Sequence, residues 1–157
     1  MLVRMKESLD SARQEIKRAD HLIFVSLKYT RTVDIIKNIV ERLINAYDLS
    51  IESLFRLAKE NKKIDSIPEA PIARAQSIKE VYADHPEIAN YINLYMLFRK
   101  INKAKFSRAR EYRRHVTMTA FLENGEIEVN IDIISEYFEK TKEFVEHCKA
   151  LIEGKKE

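Results

Sequence analysis

From Leu2 to Ile23, apolar residues return at alternating steps of three and four: Leu2, Met5, Leu9, Ala12, Ile16, Ala19 and Ile23. This is the narrow seam of a helix packed lengthwise on another helix, and it constrains the fold more than any other feature. The spacing recurs at Ile36, Val40, Leu43, Tyr47, Ile51, Leu54 and Ala58. It recurs again at Ile134, Tyr137, Phe138, Thr141, Phe144, Val145, Cys148, Leu151 and Ile152. Two Gly and three Pro in 157 residues leave few places for such helices to break. The expectation is a mainly α chain, one helical-bundle domain over residues 1–157.

About five helices follow from the pattern. The first runs from 2 to about 29. The second, capped by Thr30 or Thr32, runs from about 33 to 62. Their short link predicts antiparallel neighbours. Pro68 and Pro71 place an irregular crossing over 63–74, before a short helix near 75–83. Pro86 suits the first turn of a helix over 87 to about 105, burying Ile88, Tyr91, Ile92, Tyr95, Phe98 and Ile101. Asn130 or Asp132 starts the last helix, which Gly154 stops near Ile152. The tail Lys155-Lys156-Glu157 is expected to fray. Leu22-Ile23-Phe24-Val25 is apolar on every side, which predicts enclosure by other elements or by a second copy of the chain, as a homodimer.

After His115 the period changes from helical to alternating, and Asn124-Gly125 is a strong hairpin signal. A β-hairpin over about 116–131 follows. With Asn124-Gly125 as the turn, Leu122 pairs with Ile127, Ala120 with Val129 and Met118 with Ile131. All three pairs are apolar and share one face, which should pack on the helices because two strands alone are marginal.

The chemistry-bearing stretch is Arg99 to Arg114, followed by His115. Its sixteen residues hold eight Lys or Arg and one acid, Glu111, in a chain whose formal charge is only +3. A local basic cluster of this kind points to a polyanionic partner. Arginine's planar fork can hold two phosphate oxygens, and histidine is the side-chain type that exchanges a proton near neutral pH. Arg108, Arg110 and His115 are the candidate catalytic set for ribose-phosphate cleavage. Lys103, Lys105, Arg113 and Arg114 are candidate phosphate contacts, and Tyr112 a candidate base-stacking side chain or a packing residue. Glu111 can orient His115 if the segment is helical there. The same residues also read as a solvated basic loop, with His115 merely opening a strand.

Other classes are set aside on residue grounds. One cysteine, Cys148, forbids an internal disulfide and a zinc finger, and its stripe position predicts burial. His21, His85 and His147 have no metal-ligand spacing, so neither metal nor cofactor is expected. There is no Gly-rich phosphate loop. No apolar run approaches the roughly 20 residues a membrane span needs, and Arg4, Lys6 and Glu7 break any secretory leader. A cytoplasmic protein is expected. The charge-rich, Trp-free composition fits a thermophile.

Taken together, a helical bundle and Arg-x4-6-His resemble the HEPN superfamily. Arg110 to His115 matches with four intervening residues and Arg108 to His115 with six. The resemblance implies a metal-independent endoribonuclease leaving 2′,3′-cyclic phosphate ends. The arginine would stabilise the scissile phosphate, the histidine would transfer protons, and two motifs would meet across a dimer cleft. It allows for a regulatory protein partner. Thr117 stands where the subgroup partnered by nucleotidyltransferase antitoxins has tyrosine. The alternatives are a non-catalytic RNA- or ribosome-associated binding module and a structural adaptor with a basic docking face.

Overall fold

A computed structural model describes residues 2–154. The seams become helices. α1 (Leu2–His21) passes through a π-helical turn, Leu22–Ser26, into a last turn at Leu27–Tyr29. α2 spans Val33–Glu60, α3 Pro71–Val81, α4 Pro86–Lys103 and α5 Ile131–Ile152. Between α4 and α5 stand β1 (Lys105–Ala109), β2 (Thr117–Leu122) and β3 (Gly125–Val129). Among the described residues the architecture is mainly α, with five helices and one small antiparallel sheet. Among the described residues, no helix is long and apolar enough to cross a membrane. The tail 155–157 lies outside them.

The ends are set by the residues that the pattern marked. Thr32 caps α2 by accepting from the Ile35 amide, and Asn130 caps α5 by accepting from the Ile133 amide. Pro71 and Pro86 occupy first-turn positions, where a missing N–H costs nothing. From Met5 onward the α1 seam is buried, as is the α2 stripe from Ile36 to Ala58. α1, α2 and α5 pack on one another, and α2 also carries α4. At their centre the Tyr47 ring stacks on Tyr95 at 5.2 Å and on Phe144 at 4.7 Å, with Phe98 edge-on at 5.9 Å. Tyr91 is half-buried, its hydroxyl donating to Glu143. Cys148 is fully buried, and burial pushes its thiol well above the ordinary pKa.

Two expectations are corrected. The hairpin is part of a three-stranded sheet, ordered β1-β2-β3. β1 arises from the basic segment itself: Phe106 faces the core opposite Ala120, and Arg108 lies opposite Met118. The third strand supplies the support that a hairpin alone lacks, and its charged residues keep an exposed sheet edge from pairing with other chains. The hairpin register is also displaced by two residues: Leu122 pairs with Gly125, Ala120 with Ile127 and Met118 with Val129. The turn is Glu123-Asn124, and the positive φ of +138° falls on Gly125 and not on Asn124. A type I′ Asn-Gly turn needs positive φ at both residues. A two-residue displacement keeps every side chain on its own face, so the apolar pairing alone did not distinguish the two registers.

Of the two alternatives for the Leu22–Val25 patch, full enclosure by other elements is not seen among the described residues. Ile23 is buried, but Phe24 and Val25 are 55% and 41% exposed, and Tyr29 is 79% exposed. The π-helical turn inserts an extra residue into the helix and shifts the phase of the side chains after it.

One buried charge ties α1 to α2. The Glu15 carboxylate is 5% exposed and accepts from Arg18, Arg42 and Asn45. Burial alone would raise its pKa. The hydrogen bonds from Asn45, Arg18 and Arg42 outweigh burial and hold it below 4.5, the ordinary glutamate value. A depressed carboxylate contributes stability above the unfolded pKa and loses it as pH falls through the folded one. Glu15→Gln should therefore melt below the parent at pH 7, and the gap should narrow below about pH 4.5 as the parent's carboxylate protonates. Thermal melts followed by circular dichroism across that range check this.

Candidate functional site

The segment between β1 and β2 turns sharply. Arg110 and Tyr112 sit at φ +56° and +68°, the left-handed region that residues with a Cβ seldom adopt. Each such residue costs on the order of 1 kcal/mol, so neighbouring contacts must hold them. Two do so, and both reach the link between α1 and α2. The Glu111 carboxylate accepts from the Val33 amide at 2.9 Å, and the Tyr112 amide donates to the Arg31 carbonyl at 2.6 Å. Val33 is the first residue of α2. Its amide is among those a helix cannot pair internally, and a carboxylate there also meets the positive end of the helix dipole.

This bend gathers residues from four places into one open cavity of about 530 Å³. Arg110, Arg114 and His115 come from the bend, Thr117 and Glu128 from the outer face of the sheet, and Arg31 from the α1–α2 link. Asn130, Ile131 and Asp132 come from the start of α5. His115 is exposed, while Val116 beside it is fully buried and anchors the strand. The imidazole therefore sits where solvent reaches it, on a backbone fixed by the core. Three guanidinium groups face two carboxylates around the cavity, leaving one positive charge uncompensated. Arg31 Nε is buried and has no hydrogen-bond partner among the described residues. An unsatisfied donor of this kind costs about 1–3 kcal/mol until an acceptor reaches it.

The other sequence-derived residues lie apart. Arg108 does not line the cavity. It pairs with Asp34 at 2.8 Å and with Glu111 at 3.5 Å, and its guanidinium stands over the Phe106 ring at 5.3 Å. Hydrogen bonding to Asp34 raises its already high pKa. It braces β1 against the start of α2. Glu111 is committed to the Val33 amide and to Arg108, so the expectation that it orients His115 is replaced by a capping role. Lys103 and Lys105 are exposed at the α4–β1 junction, and Tyr112 and Arg113 are exposed on the bend.

Sequence reasoning missed Arg31, Glu128 and Asp132. Arg31 lies in a three-residue link between helices, and Asp132 follows a helix cap directly after a strand, both positions where side chains gather at element ends. Glu128 carried no signal beyond alternation. Also missed was a grouping of His85, Glu87 and His147, whose ligand atoms lie within 4.8 Å of one another. No protein-family model, curated protein or solved structure matches the chain.

Glu111→Ala removes the cap from Val33 and the partner that steadies the bend. Stability should fall by about 1 kcal/mol, in the range of a lost helix cap. The Tyr112 amide should exchange with deuterium faster than in the parent, while amides in the middle of α2 keep their protection relative to global unfolding. Chemical denaturation and residue-resolved hydrogen exchange measure both.

Proposed function

We propose that the chain is a HEPN-like protein that binds single-stranded RNA at the Arg110–His115 cavity and cleaves it without a metal ion. One observation carries the reading: His115 shares a solvent-open cavity with Arg31, Arg110 and Arg114, on a bend that two cross-links hold in place. The cation role belongs to Arg110 with Arg114, and Arg108 becomes a positioning residue, since its guanidinium is spent on Asp34.

In the reaction, the ribose 2′-oxygen bonds to phosphorus as the bond from phosphorus to the 5′-oxygen breaks. One proton leaves the 2′-hydroxyl and one is supplied to the departing 5′-oxygen, giving a 2′,3′-cyclic phosphate and a free 5′-hydroxyl. The guanidinium groups hold the non-bridging oxygens, on which negative charge grows. His115 exchanges one proton, and Glu128, which lines the same cavity, exchanges the other. The start of α5 adds the positive end of a helix dipole. The reading includes a homodimer, supported by the exposed apolar Phe24, Val25 and Tyr29 just before Arg31. It leaves room for a protein that restrains the nuclease.

A second reading, a non-catalytic RNA- or ribosome-associated binding module, is favoured by Lys103, Lys105, Tyr112 and Arg113. All four are exposed outside the cavity, as expected of backbone and base contacts.

The experiment incubates labelled single-stranded RNA with the protein, with and without chelator. Cleavage should persist with chelator and leave cyclic phosphate ends. His115→Ala should lower it by roughly 10²–10⁴-fold while sparing most affinity. Arg110→Ala should weaken cleavage and also flatten the salt dependence of binding by about one phosphate contact. His115→Ala cutting at the parental rate would sink the nuclease assignment. Salt-sensitive binding with no cleavage in either condition would leave the binding module.

A further inference from the structure

At the far end of α5 from the cavity lies a second group of chemistry-bearing side chains. His85 is the residue before α4, Glu87 is in its first turn, and His147 is on α5. Sixty-two positions separate His85 from His147, yet their rings come within 6.3 Å, edge to face. One ligand atom from each of the three residues lies within 4.8 Å of the others. His147 Nε2 is 3.9 Å from a Glu87 carboxylate oxygen, beyond hydrogen-bonding reach. It is also buried without any hydrogen-bond partner among the described residues. Asp84 Oδ2 stands 3.8 Å from His85 Nε2, bringing a second carboxylate to the edge of the group.

A plain ion pair does not account for this arrangement, because it leaves the His147 nitrogen buried and unpaired, which is costly. A metal ion among the three residues removes that cost. Tetrahedral zinc, with ligands at 2.0–2.2 Å, needs ligand atoms roughly 3.4 Å apart. The ligand atoms therefore close by at most about 1.4 Å, and Glu87, already 3.9 Å from His147 Nε2 and half-exposed, has the freedom to move. The surroundings suit an ion held by imidazole. Tyr82 packs at 6.1 Å from the His85 ring and Tyr91 at 6.2 Å from the His147 ring, so each imidazole has an aromatic neighbour. The start of α4 is electropositive, and Glu87 and Asp84 supply the opposing charge.

We propose that His85, Glu87 and His147 form a binding site for a divalent first-row transition metal, zinc in the first instance, with water at the fourth position. Two imidazoles and one carboxylate select such an ion over magnesium or calcium, which favour all-oxygen shells. The bound ion ties the start of α4 to α5. The site shares no residue with the cavity. Asp132 and His147 lie fifteen residues apart on one helix, roughly 22 Å along its axis, so metal uptake and RNA cleavage are separate properties.

The test uses the untagged full chain, stripped with chelator and titrated with Zn2+ in a calorimeter, with Co2+ as a spectroscopic probe. One Zn2+ should bind per chain. Co2+ should give the intense visible band of a four- or five-coordinate site. Excess Zn2+ should raise the melting temperature by roughly 5–10 °C at a hundredfold excess over Kd. His85→Ala and His147→Ala should each weaken binding more than tenfold, whereas His21→Ala should not change it. The melting temperature of each metal-free variant reports whether it folds, and His85→Ala, at the more exposed ligand, serves if His147→Ala does not. Absence of saturable Zn2+ uptake, or His85→Ala binding Zn2+ like the parent, overturns the site.

Discussion

The hydrogen bond from the Val33 amide to the Glu111 carboxylate holds the rest of the candidate site in place. It joins residues 78 positions apart, the start of the longest helix to the middle of the basic segment. Without it, only the Tyr112 amide on the Arg31 carbonyl would hold Arg110 and Tyr112 in left-handed backbone, where each costs on the order of 1 kcal/mol. With it, and with the Tyr112 amide on the Arg31 carbonyl, the bend and the α1–α2 link become one unit. The single acid in a stretch of eight basic residues thus has a structural task. It meets a helix N-terminus that needs an acceptor, and it turns the segment so that Arg110, Arg114 and His115 face the same space as Arg31.

The helices were legible because burial on a helix repeats every three or four residues over many turns. Met5 to Ile23, Ile36 to Ala58 and Ile134 to Ile152 each sample that repeat often enough to be unambiguous, and Thr32, Pro71, Pro86 and Asn130 mark ends by simple chemistry. Strand β1 was not legible. Over Lys105–Ala109 only Phe106 is large and apolar, so no alternation stands out. Its formation is decided by β2 beside it, a contact the local sequence does not carry. Hairpin register failed for a related reason, since a two-residue slip preserves the apolar pattern and only the backbone of Asn124 and Gly125 decides.

The grouping of side chains at the candidate site was legible in part, and for a physical reason. Residues brought together by one short bend, such as Arg110, Arg114 and His115, show as a cluster in the chain. Arg31, Glu128 and Asp132 reach the same cavity from three other elements, and His85 and Glu87 meet His147 only because α4 and α5 pack. Arg108 shows the converse. By spacing it was as good a phosphate ligand as Arg110, but strand geometry turns it toward Asp34. Two residues along a charged segment separate a free guanidinium from a committed one.

The electrostatic consequence is that the net charge of a segment overstates what it offers a ligand. Arg99 lies over the Tyr95 ring with Asp48 3.9 Å away, and Arg108 is held by Asp34 and Glu111. Two of the eight cations are thus spent on the fold. Of those remaining, Arg110 and Arg114 face the cavity, where Arg31 joins them and Glu128 and Asp132 offset two of the three charges. One uncompensated charge suits a single phosphodiester better than a long tract of polyanion. An uncompensated tract would bind nucleic acid non-specifically through counterion release, whereas a nearly balanced cavity gains most where one phosphate enters and its charge grows. Lys103, Lys105 and Arg113 are exposed outside the cavity, where under the proposed reading they would add a weaker, salt-screened attraction along the strand. Under the proposed reading the carboxylates in the cavity would therefore restrict where on a polyanion this surface is most favourable, and they line the same space as the imidazole.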